Sequence, residues 1–273
     1  GTYTYEVWED VPSDLDENNQ KDGITYDPTK YTVEVKVEYG TGDDEGKLVS
    51  TVKYGTKAEP ATASASGLVV KNTYEATGKV SFNAKKVFTN GNLSKHSFTI
   101  QLTQVDGENS TNAVTGFTPI KKVVNANADN QTVVFEDVKS FVKNGTKDET
   151  GDYWFLIEEI VPATAETNIV YETNAQKWIK VTVADENNNG ELTVTKVGSA
   201  SSDLDVTFTN KQLASVKVTK TFSGISELPS GFKIKNNKTQ DVFTVANAKK
   251  DTTTGETIVP YEWHISVTFS VLN

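Results

Sequence analysis

From Tyr3 to Val11 the side chains alternate, with Tyr3, Tyr5, Val7, Glu9 and Val11 on one face and the mostly polar Thr4, Glu6, Trp8 and Asp10 on the other. A strand shows one face every second residue, so this alternation predicts a half-buried β-strand. The same period places Val80, Phe82, Ala84, Lys86 and Phe88 on one face, with Ser81, Asn83, Lys85, Val87 and Thr89 opposite. It recurs in Tyr153, Phe155, Ile157, Glu159 and Val161, and in Val206, Phe208 and Asn210. Turn signals at Asn90-Gly91, Asn144-Gly145 and Asn189-Gly190 separate such runs. Many short strands with this punctuation predict an all-β chain of tandem Ig-like β-sandwich modules. Lys139–Thr150 fits either a short helix or a loop.

An internal repeat sets the expected boundaries. Gly1-Thr-Tyr-Thr-Tyr-Glu-Val-Trp-Glu-Asp-Val-Pro12 matches Gly151-Asp-Tyr-Trp-Phe-Leu-Ile-Glu-Glu-Ile-Val-Pro162. Ile24–Tyr26 with Tyr31–Val37 parallels Ile169–Tyr171 with Trp178–Val183, and Gly46–Val52 parallels Gly190–Val194. Leu68-Val-Val-Lys-Asn72 parallels Val206-Thr-Phe-Thr-Asn210. Residues 1–74 therefore read as the C-terminal half of one module, 75–212 as a complete module, and 213–273 as the N-terminal part of a third. The third opens with Ser215-Val-Lys-Val-Thr-Lys-Thr-Phe222, which resembles Lys79–Phe88. A chain that enters directly in a strand pattern is expected to be a piece of a longer one.

Composition narrows the chemistry. The 273 residues carry a net charge of −10 and no basic tract, which makes nucleic acid and anionic membrane surfaces poor partners. No apolar run is long enough to span a bilayer. With no cysteine, disulfides, thiolate zinc sites and a thiol nucleophile are excluded. The two histidines, His96 and His264, lie far apart in strand-like stretches, leaving little material for a hydrolase triad or a histidine metal site. No cofactor and no metal is expected. Asp43-Asp44-Glu45 and Asp185–Asn189 are weighed as calcium loops, but they lack the full EF-hand spacing and read better as solvated hairpin tips.

Three polar residues interrupt the apolar faces: Lys86, Glu159 and Asn210. Taken singly, an inward lysine commonly snorkels at a sheet edge and an inward glutamate marks a strand end. The repeat argues otherwise, because Glu9 and Asn72 occupy the same positions in the first unit and Lys220 follows Lys86 in the third. Burying an isolated charge costs several kcal/mol, on the order set by desolvation, so such groups should be neighbours. Together they permit one reaction. Burial lowers the lysine pKa and leaves a neutral, nucleophilic amine. The buried Glu159 is expected to hold a proton and donate it to the Asn210 carbonyl. The amine attacks, ammonia leaves, and an amide joins the two side chains in a single self-processing event.

The segments Val-Ser-Phe-Asn-Ala-Lys-Lys86-Val-Phe, Gly-Asp-Tyr-Trp-Phe-Leu-Ile-Glu-Glu159 and Val-Thr-Phe-Thr-Asn210 resemble the isopeptide-linked pilin domains of streptococcal and other Gram-positive major pilins, and the related collagen-adhesin B-type modules. The resemblance spans roughly residues 1–222. It implies an opening-strand lysine, Lys86, bonded to a closing-strand asparagine, Asn210, with Glu159 as the catalytic carboxyl. By motif position Glu9 and Asn72 are the equivalents in the first unit and Lys220 in the third. The first unit has no lysine, and the third has no assigned glutamate or asparagine, so only the central module can close its own bond. No Leu-Pro-x-Thr-Gly sortase signal is present, Leu228-Pro-Ser-Gly-Phe lacking the Thr-Gly, and no pilin polymerisation lysine motif is evident.

The resemblance implies a non-enzymatic stalk or pilus-shaft module on the outside of the cell wall. Its partners would be neighbouring modules of the same chain, other pilin subunits or host surface ligands. The alternative reading is an adhesin module whose loops bind a host protein or glycan, with Trp8 a candidate contact.

Overall fold

The structure, a computed structural model, describes residues 1–56, 62–63, 67–166, 168–198, 204–223, 233–235, 242–244 and 262–271, with side chains for 1–56, 67–166, 168–198 and 204–213. The chain begins with β1 (Thr2–Val7), β2 (Gln20–Lys21), β3 (Ile24–Thr25), β4 (Tyr31–Tyr39), β5 (Leu48–Thr56) and β6 (Thr62–Ala63). Its centre carries β7 (Thr73–Thr89), β8 (Phe98–Val105), β9 (Ile120–Val124), β10 (Asn130–Asn144), β11 (Gly151–Ile160), β12 (Ile169–Val170), β13 (Gln176–Ala184), β14 (Thr193–Val197) and β15 (Val206–Gln212). Then come β16 (Ala214–Ser223), β17 (Lys233–Lys235), β18 (Val242–Thr244) and β19 (Glu262–Val271). The all-β expectation holds. Lys139–Thr150, open between helix and loop, is the end of β10 followed by a turn in which the Asn144 side chain accepts from the Thr146 and Lys147 N–H groups. Among the described residues no helix is long and apolar enough to cross a membrane.

Two sheets enclose the core. One has the order β12-β15-β7-β3-β2, with β10 also paired to β7; the other is β14-β13-β11-β8-β9. β7 alternates as its sequence requires: Val80, Phe82, Ala84, Lys86 and Phe88 are buried, and their neighbours are not. In β11 the buried face includes Phe155, Ile157 and Glu159. Phe82 and Phe155 meet across the interior with ring centroids 4.8 Å apart, within the range where aromatic pairs add to simple burial. The closing strand β15 runs parallel to the opening strand β7, with Phe208 opposite Lys86 and Asn210 opposite Phe88. Parallel neighbours need a long crossover, and here the whole opposite sheet lies between them in sequence.

β7 also runs through the junction near residue 74. Its start pairs with β3, Ile24 opposite Tyr74. The contact tightens at two glycines. Gly23 and Gly190 both have positive φ, 75° and 85°. A Cβ on Gly23 would stand 2.5 Å from the Gly190 Cα, so backbone meets backbone only because neither carries a side chain. Beside them, Asp185 has a buried carboxylate that accepts from Lys143 Nζ at 2.9 Å and from the Tyr74 hydroxyl at 3.0 Å.

The sheet β1-β4-β5-β6 is different in kind. Tyr3, Tyr5 and Val7 stand opposite Val35, Val33 and Tyr31 on one face, as the alternation predicts. That face was expected to be inward, yet Tyr3 and Tyr5 are 55% and 54% exposed, and no residue of this sheet whose side chain is described belongs to the buried core. The physical reason is that no second sheet covers it among the described residues. Leu68–Asn72, expected to form a closing strand, has no strand pairing here, and Asn72 is exposed. His96 is another correction. It follows a short 3-10 turn, Leu93–Lys95, and its ring contacts Glu166 and Gln212.

Two outcomes follow from this packing. Phe82→Ala should cost ~3–5 kcal/mol in denaturant unfolding by opening a core cavity, whereas Val197→Ala, on the surface, should stay within about half a kcal/mol. The Lys143 ammonium first, and the Tyr74 hydroxyl with it, hold the Asp185 carboxyl below its ordinary range against the effect of burial. A depressed carboxyl stabilises the fold above its unfolded pKa and loses that contribution as pH falls through the folded value. Asp185→Asn should therefore lower the melting temperature at neutral pH, and the gap to wild type should shrink below about pH 4.

Candidate functional site

A lysine in the middle of a buried strand, between Ala84 and Phe88 on the inward face, has nowhere to snorkel. Lys86 is completely buried, as is Asn210, and Glu159 is 3% exposed. Lys86 and Asn210 come from adjacent parallel strands of one sheet, two residues apart in register and so on the same face. Glu159 reaches them from β11 in the facing sheet. Its two oxygens divide the work. Oε2 accepts from Lys86 Nζ at 2.9 Å, and Oε1 accepts from Asn210 Nδ2 at 2.6 Å. One carboxyl group thus holds the amine and the carboxamide together in an apolar interior, where unpaired polar atoms would be costly.

Glu159 is not the donor to the Asn210 carbonyl that the strand pattern led us to expect, since the Asn210 Nδ2 donates to it instead. The Asn210 Oδ1 accepts from the backbone N–H of Glu172 at 2.8 Å. A buried N–H can only be met by an acceptor, so the carboxamide turns its oxygen to Glu172 and its nitrogen to Glu159. Glu172 is held in turn, its Oε2 accepting from the Thr209 N–H at 2.9 Å. The Phe98 ring closes the lysine side, its centroid 4.8 Å from Nζ, within cation–π range. Phe88 and Tyr171 pack edge-on against that ring. Burial pushes the Lys86 amine below the ordinary lysine range, opposed by the charges of Glu159 and Glu172.

The first unit repeats half of this arrangement. Asn72 Nδ2 donates to Glu9 Oε1 at 2.7 Å, and the Asp27 N–H donates to Asn72 Oδ1 at 3.0 Å. Asp27 thus does for Asn72 what Glu172 does for Asn210. The other Glu9 oxygen, Oε2, is covered from solvent and has no hydrogen-bond partner among the described residues. The expectation that Glu9 and Asn72 are core residues is corrected: Glu9 is half-buried and Asn72 exposed, no second sheet covering them among the described residues. Lys220 lies in β16 opposite Ile265, and its side chain is outside the described residues.

Glu172, Asp27, Phe98 and Tyr171 were missed by sequence reasoning. A signal for the first two was present: Ile24-Thr-Tyr-Asp27 and Ile169-Val-Tyr-Glu172 end on an acid at the same step of the repeat. No group of three or more histidine or acidic residues suited to a metal ion occurs among the described residues. The Asp185 carboxylate, weighed as a calcium ligand, is occupied by Lys143, Tyr74 and the Asn188 N–H.

Comparison with known proteins agrees in kind. A family described as "FctA: Spy0128-like isopeptide containing domain" matches residues 1–75 and 82–212. Among solved structures, the major pilin of Streptococcus pyogenes pairs at 17% identity, covering 78% of this chain and 70% of that one, with a TM-score of 0.22. A point variant of that pilin pairs at 18% identity with the same coverages and a TM-score of 0.23. These overlaps are too loose to carry a residue-by-residue correspondence. No match was found among curated proteins. The family match takes in both the first unit and the central sandwich, well over half the sequence, and the chain belongs to the FctA family of Spy0128-like, isopeptide-containing pilin domains.

Proposed function

We propose that this chain is a segment of a pilus shaft or surface stalk whose central module, residues 75–212, staples itself by an isopeptide bond between Lys86 and Asn210. Membership of a pilin-type family already gives a structural role at the cell surface. The flanking stretches 1–74 and 213–273 are the closing and opening parts of neighbouring Ig-like modules. The observation that carries the staple is that Lys86 Nζ and Asn210 Nδ2 lie on the two oxygens of one buried carboxyl group.

The reaction balances without an outside reagent. The Lys86 amine, whose hold on its proton burial weakens, attacks the Asn210 side-chain carbon in its neutral form. The Glu172 N–H on Oδ1 polarises the carbonyl and receives the developing negative charge, as an oxyanion donor does. The Glu159 carboxyl takes a proton from the attacking nitrogen and delivers one to the departing nitrogen, which it already contacts. The C–N bond to Nδ2 breaks, ammonia leaves, and a Lys–Asn amide remains. Each pair reacts once, so nothing turns over.

The product would tie the first strand of the sandwich to the last. Closing a loop on the order of a hundred residues restricts the unfolded chain by ~5 kcal/mol on the disulfide analogy. Unlike a disulfide the link resists reduction, and it carries tension along the adjacent parallel strands β7 and β15 through covalent bonds. That suits a shaft under shear outside the cell.

The wild-type chain should have an intact mass one ammonia below its sequence mass, with the Lys86 and Asn210 peptides joined on digestion. Glu159→Ala and Lys86→Ala should restore the full mass and lower thermal and protease resistance. Well-folded wild-type protein of unmodified mass would contradict the staple.

A further inference from the structure

In an antiparallel ladder, opposed pairs that exchange both backbone N–H···O=C bonds alternate with pairs that exchange none. β12 and β15 form such a ladder, with Ile169 opposite Gln212 and Val170 opposite Lys211. The Leu213 N–H donates to the Asn168 carbonyl at 2.7 Å, which makes Asn168 and Leu213 a bonding pair. The alternation makes Val170–Lys211 the next bonding pair and Glu172–Thr209 the one after it. At that step a regular ladder would send the Thr209 N–H to the Glu172 carbonyl and the Glu172 N–H to the Thr209 carbonyl. Both N–H groups are diverted to side chains instead. Thr209 donates to Glu172 Oε2 at 2.9 Å, and Glu172 donates to Asn210 Oδ1 at 2.8 Å.

β3 and the start of β7 repeat the arrangement. The Glu75 N–H donates to the Gly23 carbonyl at 2.9 Å, and Thr25 stands opposite Thr73. The same alternation makes Asp27–Lys71 the bonding pair after Thr25–Thr73. Here too the ladder is opened. The Asp27 N–H donates to Asn72 Oδ1 at 3.0 Å. The Lys71 N–H is directed at the Asp27 carboxyl, which Thr29 and Tyr31 first, and this N–H after them, hold below its ordinary range. In both places an acid stands at the step where the ladder opens, and its N–H is delivered to the asparagine that follows the opposed residue.

A side-chain acceptor competes with a strand ladder for backbone N–H groups. The Glu172 carboxylate occupies the Thr209 N–H, so the two strands do not close on each other and the Glu172 N–H stays available to Asn210. That N–H keeps the carboxamide oxygen on Glu172 and its nitrogen on Glu159. Turned over, the carboxamide would put its oxygen on Glu159 and its leaving nitrogen away from the group that protonates it.

We propose that Glu172 is a positioning residue for the Lys86–Asn210 reaction: its carboxylate holds the β12–β15 ladder open by one pair, so that its own N–H orients the Asn210 carboxamide for attack. The side chain acts through Thr209 and not on the reacting carbon. This role rests on the staple proposed above.

Refolding from denaturant tests it, with intact mass following the loss of ammonia and tryptophan fluorescence following folding. Glu172→Ala and Glu172→Val carry no side-chain acceptor, so both N–H groups return to the ladder. These variants should fold yet link on the order of a hundredfold more slowly than wild type, the loss expected on withdrawing one oxyanion donor. Glu172→Gln, whose amide oxygen still accepts from Thr209, should link close to the wild-type rate. In a Lys86→Ala background, which cannot link, Glu172→Ala and Glu172→Val should melt no lower than their parent, because a closed ladder pair replaces the side-chain bonds. A residue that merely stabilised the fold would lower the melting temperature there. Wild-type linking rates in the Ala and Val variants overturn the proposal, as does a slow Gln variant or a loss of melting temperature in the unlinked background. Wild-type chain that folds and never sheds ammonia removes the staple itself, and this role with it.

Discussion

Inside the central sandwich a single carboxyl group faces an amine and a carboxamide, and the module is arranged around meeting their needs. Lys86 and Asn210 sit side by side because β15 returns parallel to β7, and Glu159 reaches them because β11 lies in the facing sheet. An interior of phenylalanines would not otherwise accept three polar side chains. The aromatic wall of Phe98, Phe88 and Tyr171 does more than fill space: it keeps water from competing for the amine. Burial weakens the hold of the lysine on its proton, and the Glu172 N–H fixes the orientation of the carboxamide. Burial therefore shapes both the packing of these three side chains and the state of the amine.

The first unit is a natural control. It keeps the glutamate, the asparagine and the backbone N–H that orients the asparagine, in closely similar hydrogen bonds, and among the described residues no lysine nitrogen reaches the second Glu9 oxygen. Half of the site can thus be assembled by local strand and loop geometry alone. In the central sheets Lys86 and full burial accompany the same pair of hydrogen bonds. This division explains why Tyr3, Tyr5 and Val7 show inward-type alternation while facing solvent.

Much of this was legible in the sequence because strand periodicity is strict. Lys86, Glu159 and Asn210 were placed inward by parity, and all three are buried. Parity cannot tell whether a covering sheet exists, so it placed Glu9 and Asn72 in a core that the structure does not supply. It cannot orient a carboxamide either, because that depends on a backbone N–H thirty-eight residues away in sequence, that of Glu172. Lys139–Thr150 was undecidable from pattern because the irregularity between Phe135 and Lys139 breaks the register of β10 against β7. The contact of Gly23 with Gly190 was hidden for a related reason: close backbone approach leaves no periodic trace.

The proposed staple requires Lys86 and Asn210 to react with each other across the Glu159 carboxyl. A high-resolution crystal structure of the purified chain tests that directly. Continuous electron density from Lys86 Nζ to Asn210 Cγ, with Glu159 beside the new amide and the Glu172 N–H on its oxygen, is the predicted result. Separate Lys86 and Asn210 side chains in a well-ordered core, or Glu159 turned toward solvent, would contradict it.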